Sequence, residues 1–142
     1  MIGVMKYAVA LGFALALATV GVACSDPVAP NPPRLAVPTV TETFTGTLTI
    51  GGNNLHQFTV SQPGGLKVVL MNVTPSAAVE LSVGTPSTAT GTCAALNGLT
   101  AVAGPDAQIS GAATIAGTFC VSVADVGNLV ETVNYTVSVL HS

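Results

Sequence analysis

From Thr39 onward the chain consists of short runs that alternate apolar and polar residues, each closed by a turn signal. The first, "TVTETFTGTLTI", places Thr at 39, 41, 43, 45, 47 and 49, with Val40, Glu42, Phe44, Gly46, Leu48 and Ile50 between them. A period of two sends successive side chains to opposite faces of an extended strand. This run therefore reads as a half-buried strand with Phe44 and Leu48 inward. "GGNN", Gly51 to Asn54, is a turn, because Gly and Asn tolerate positive φ. "LHQFTVS" follows with His56, Phe58 and Val60 on one face, so the two strands read as a hairpin.

The same grammar continues to the end. "PGG" at 63–65 breaks the chain, and "LKVVLMNV", Leu66 to Val73, is apolar enough for a central strand. "AVELSVG" sets Val79, Leu81 and Val83 against Glu80 and Ser82. The small-residue stretch up to Ala107 predicts only a short strand near Thr92–Leu96 with loop around it, and "AQISGAATI" (107–115) is another strand. "TFCVSVAD" puts Phe119, Val121 and Val123 on one side and Cys120 on the other. "GN" at 127–128 is a turn. "TVNYTVSVL" closes with Val133, Tyr135, Val137 and Val139 on one parity. About seven or eight short strands and no amphipathic helix beyond the N-terminal run predict an all-β fold, an antiparallel β-sandwich over residues 39–142.

The first 23 residues follow other rules. Lys6 is their only charge, and Tyr7 to Ala23 is apolar or small throughout, 17 residues in all. That is short of the roughly 20 a membrane span needs. A positive start, an apolar centre and small residues at the end describe a signal helix for export. An uncleaved anchor is the alternative, but no basic stop-transfer cluster follows. Next comes "SDPVAPNPPRLAVP", Ser25 to Pro38, with five of the nine prolines. Proline fixes φ and removes a donor, so residues 24–38 read as an extended tether, at ~3.1 Å per residue roughly 40 Å long.

Three cysteines, Cys24, Cys93 and Cys120, leave an exported chain with an odd thiol. "VGVAC" followed by Ser25 resembles the lipobox of bacterial lipoproteins. The resemblance implies a diacylglycerol thioether on Cys24, cleavage just before it, and acylation (palmitate) of the new amino group. Val22 and Ala23 match the pattern. Gly21 departs from it, since Leu is commonest there, and a plain cleaved signal stays open as the alternative. Ser25 resembles the sorting of lipoproteins to the outer membrane. Two or more acyl chains anchor a protein stably where one does not. With Cys24 consumed at the membrane, Cys93 and Cys120 form an even pair that an oxidising compartment would bridge; two free buried thiols are the alternative.

Beyond residue 23 the chain carries six acids (Asp26, Glu42, Glu80, Asp106, Asp125, Glu131) and two bases (Arg34, Lys67). No basic patch exists to meet a phosphate backbone, which excludes nucleic acid as a partner. Catalysis has little to work with. A triad needs a base oriented by a third group, and only His56 and His141 are available. His56 shares parity with Phe58 and Val60, so it reads as a packed strand residue, and His141 as part of a fraying end. The six acids show no paired spacing. Asp106 and Asp125 sit at ordinary turn positions, and "DVGN" offers too few oxygens for calcium. No Cys/His metal pattern is present. No cofactor is expected. Phe44, Phe58, Phe119 and Tyr135 all fall on inward positions, which argues against an aromatic sugar platform. The threonine row reads as the solvated face of a good strand former, one strand being too small an array for a binding surface.

"GTLTIGGNNLHQFTV" and "AGTFCVSVADVGNLVETVNYTVSVL" give residues 42–140 a further resemblance, to the bacterial pre-peptidase C-terminal (PPC) domain. That resemblance implies a small jelly-roll-like sandwich found beside secreted peptidases and as a free-standing module. Its members carry aspartates before the Phe-x-Val strand. Asn53 and Asn54 stand there in this chain, so metal binding is not carried over. The expected function is a non-catalytic binding, adhesion or scaffolding module, lipid-anchored through Cys24 on the bacterial cell envelope, at the outer membrane. Its loops would meet an envelope protein or polysaccharide. The alternative is an accessory partner of a secreted peptidase or hydrolase.

Overall fold

One pairing rule organises the strands. The computed structural model describes Val37 and residues 39–142. Eight strands form: β1 (Val40–Leu48), β2 (Asn53–Val60), β3 (Gly64–Thr74), β4 (Val79–Ser87), β5 (Thr92–Ala103), β6 (Gln108–Ala113), β7 (Gly117–Ala124) and β8 (Val133–His141). β1 pairs with β8, β2 with β7, β3 with β6 and β4 with β5, all antiparallel. The chain is thus one long double ribbon with the β4–β5 connection at its tip. The ribbon rolls up on itself, joining β3 to β8 and β4 to β7. Two four-stranded sheets result, in the orders β1-β8-β3-β6 and β2-β7-β4-β5. This is a β-sandwich of jelly-roll type.

The alternation read from sequence sets which side faces the core. Leu48, Leu70 and Leu81 are fully buried, as are Val68, Val121 and Val137. Phe58 and Phe119, directly opposite each other on β2 and β7, stack with ring centroids 6.1 Å apart. In β3 the inward parity changes. Leu70 faces Val137 and Asn72 faces Thr136, so Met71 is the extra residue of a bulge and points to solvent. β3 lies between β8 and β6, the central place its apolar run predicts.

Three local expectations are corrected. β1 and β2 do not form a hairpin: each pairs in a different sheet, and Gly51–Gly52 carries the chain between the layers. Period-two patterning identifies strands but not their partners, and the turn signal is the same for both connections. The short strand near Thr92–Leu96 is the first part of the longer β5, Thr92–Ala103. It was broken in the sequence by "LNG". Ala95 pairs with Gly84 and Thr100 with Ser82, so β5 holds surplus residues there, with Gly98 at φ +78°. Nor does the chain fray at His141. His141 is buried, with its Nε2 2.9 Å from Glu42 Oε1 and its ring 5.2 Å from that of Phe58. Ser142 follows it inside, donating from Oγ to the Gln62 carbonyl at 2.7 Å. A side chain at Gly64 would occupy the place Ser142 takes.

Candidate functional site

The best-built surface feature lies at the tip of the ribbon. In β7 the core side chains are Phe119, Val121 and Val123, so Cys120 and Ser122 point away from the core. Both are nevertheless buried. At Cys120 the cover comes from the β4–β5 arm, which leans back over its own sheet. Cys93 of β5 is disulfide-bonded to Cys120 of β7, with Cα atoms 5.9 Å apart. β4 lies between those two strands, and two strand spacings in a flat sheet would be roughly 9.6 Å. Gly84 makes the lean possible. A Cβ there would run into the carbonyl of Ala94, so only glycine lets the arm lie this close.

Between the arm and β2 run two clefts. One, of about 320 Å³, is lined by Leu55, Gln57, Thr118 and the arm residues Pro86, Ser87, Thr88, Gly91 and Thr92. The other, of about 360 Å³, is lined by Gly46, Asn53, Asn54, Leu55, His56, Tyr135, Gly91 and Thr92. Leu55, Gly91 and Thr92 line both, so the two clefts adjoin there and form one groove. No lining residue is an Asp, Glu, Lys or Arg.

The second cleft ends on a small polar cluster. His56 Nε2 lies 2.7 Å from the Tyr135 hydroxyl, and the His56 ring stacks on Phe44 at 5.0 Å. Tyr135 fits because its neighbour on β1 is Gly46, where any side chain would collide with the phenol. Asn54 donates to the Thr47 carbonyl at 2.8 Å, and Ser122 Oγ donates to Asn53 Oδ1 at 2.7 Å. Burial pulls the His56 pKa below its usual value. Burial also raises that of Tyr135, with a hydrogen bond from Asn54 acting the other way. At neutral pH this is an uncharged imidazole bonded to a phenol, with no carboxylate to orient it as a base.

That depressed pKa has a measurable sign. The folded state takes up the proton at lower pH than the unfolded chain, so the stabilising term is fully present above about pH 6.5. It is lost as pH falls through the folded value. The stability difference between wild type and His56→Asn is expected to shrink as pH drops below about 6.5, read from urea midpoints across pH. A difference that stays constant would contradict a neutral buried imidazole.

The other residues singled out by the sequence are scattered. Asp125 is a turn residue with more to do than the sequence suggested. Its Oδ2 accepts from the Gly51 N–H at 2.8 Å, and its Oδ1 accepts from the N–H groups of Gly127, Asn128 and Leu129. These bonds, Gly51 first, outweigh desolvation and hold its pKa below the usual carboxylate value. Asp125 thereby clips the β1–β2 connection to the segment after β7. Thr41, Thr43, Thr45 and Thr47 are exposed on β1, and register extends the row across the sheet. Thr43 stands beside Ser138, Thr45 beside Thr136, which in turn pairs with Asn72, and Thr47 beside Asn134, which pairs with Thr74. Cys24, the signal and the tether lie outside the described residues. Among the described residues no group of three or more His, Cys, Asp or Glu could hold a metal ion. The groove itself was missed. Its clue was Gly84, a glycine inside a strand pattern, which marks a close backbone approach.

No family model matches this sequence, and no curated protein matches it either. A solved structure does: the periplasmic inhibitor of g-type lysozyme from Aeromonas hydrophila, with a TM-score of 0.50 at 16% identity. The match covers 70% of this chain and 83% of that one. At that identity the likeness is one of fold.

Proposed function

We propose that this chain is a non-catalytic binding module of a bacterial envelope, held by lipid at Cys24, with a protein as its partner. The observation that carries the non-catalytic part is the closed His56–Tyr135 pair. The histidine at the second cleft is packed on Phe44 and bonded to a phenol, so it is held as structure and not poised as a base. The "VGVAC" stretch supports the anchor, and Ser25 supports the outer membrane as its destination. The bridged Cys93 and Cys120 suit an oxidising compartment. The likeness in fold to a periplasmic lysozyme inhibitor supports a protein partner, and specifically the second reading, a protein that accompanies or restrains a secreted peptidase or other hydrolase. The resemblance to the pre-peptidase C-terminal domain favours the same reading.

Crosslinking on intact cells, followed by identification of the partner, tests this. Capture of a secreted hydrolase supports the accessory reading, and capture of another envelope protein supports a scaffold. Turnover in a broad hydrolase screen that is abolished by His56→Ala would overturn the non-catalytic assignment.

A further inference from the structure

We infer that the groove under the β4–β5 arm is a binding site for a neutral oligosaccharide, a ligand distinct from the protein partner proposed above. Charge selects the ligand class first. Every lining side chain is uncharged, and the one titratable base, His56, is held toward its neutral form by burial. An anion would find no Lys or Arg, and a cation no carboxylate. What the groove offers is side-chain amides and hydroxyls: Gln57 on β2, Thr118 on β7 and Ser87 on the arm, with Asn53, Asn54 and Thr92 each keeping further hydrogen-bonding capacity beyond one internal bond. These are the groups that exchange hydrogen bonds with sugar hydroxyls, and strands hold them in place.

Shape selects next. The two clefts meet at Leu55, a half-buried apolar side chain that suits the C–H face of a sugar ring, with polar groups on either side. Each cleft has room for at least one ring, and their continuity allows a chain of two or more. The floor of the first cleft is the outer face of β2 and β7, whose facing backbones pair with each other from Asn53–Ala124 to Val60–Gly117, so a ligand there is met by side chains. The second cleft runs beside the free edge of β2, the outermost strand of its sheet, and reaches His56 and Tyr135. The far wall is fixed by the Cys93–Cys120 bond, so the site is already formed before any ligand arrives.

The test is an NMR titration of the isotope-labelled, detergent-purified full-length protein. Tetra-N-acetylchitotetraose and maltotetraose are the neutral probes, and tetragalacturonate is the anionic control. The expected result is amide shifts concentrated at Leu55, Gln57, Gly91 and Thr92 with at least one neutral sugar at millimolar concentration, and none with the anion. Gln57 and Thr92 are exposed, so Gln57→Ala and Thr92→Ala should fold normally. Each is expected to weaken binding about three- to tenfold, as loss of one neutral hydrogen bond does. Thr45→Ala, on the opposite sheet, should leave binding unchanged. Absence of groove shifts with both neutral sugars, shifts confined to another face, or a preference for the galacturonate would each overturn the assignment. Because anchoring and partner capture are measured separately, a negative result here leaves those readings standing.

Discussion

Removing the Cys93–Cys120 bond by the double Ser variant is expected to destabilise the protein by about 3–4 kcal/mol. The two cysteines lie 27 positions apart. Bridging them limits the unfolded chain, and loop closure of this length is worth about that much in the chain-entropy model. A second consequence acts on the folded state. Cys120 is buried on the outer side of its sheet only because the arm lies over it. Without the bond, the arm keeps its strand pairing to Gly84 and Thr85 but loses its only covalent tie to β7. The loss should appear as a lower denaturation midpoint for the variant, and for the reduced wild type, relative to the oxidised protein. An unchanged midpoint with an unchanged slope would mean that Gly84 packing and strand pairing alone hold the arm.

Tyr135→Ala is expected to cost about 3–5 kcal/mol, the range for deleting a large buried aromatic. The ring fills the space that Gly46 leaves on β1, and it lies edge-on to His56 with centroids 5.8 Å apart. Deleting it opens a cavity between the two sheets and leaves His56 without its hydrogen-bond partner. Tyr135→Phe keeps the ring and removes only the hydroxyl, so it should cost about 1 kcal/mol. The gap between the two variants separates packing from the imidazole–phenol bond. Equal losses would mean that the bond, and not the ring, stabilises this corner.

The strands were legible because burial on one face writes itself as alternation. Val79, Leu81 and Val83, or Val133 through Val139, declare their inward side with no knowledge of neighbours. Which strand pairs with which is not written that way. The rolled ribbon places β1 next to β8, about 90 residues along the chain, and neither "GGNN" nor the flanking pattern records it. His141 shows the same limit. At the end of the chain it reads as frayed, yet β1 brings Glu42 to it and β2 brings Phe58. The site was half legible. His56 was correctly read as packed, and Cys93 with Cys120 as a pair. The groove depends on an arm folding back over its own sheet, an event that Gly84 permits and long-range packing decides. β5 was underestimated because the Asn97–Gly98 irregularity looks like a loop until its pairing with β4 is known.

The proposed anchoring through Cys24 is tested most directly by the intact mass of the protein extracted from the membranes of its own cells. The predicted mass lacks residues 1–23 and carries added acyl chains on a peptide that begins at Cys24. Cys24→Ala should lose that mass and leave the membrane fraction. A wild-type protein that is soluble, or that is cleaved without any acyl mass at Cys24, would contradict the account.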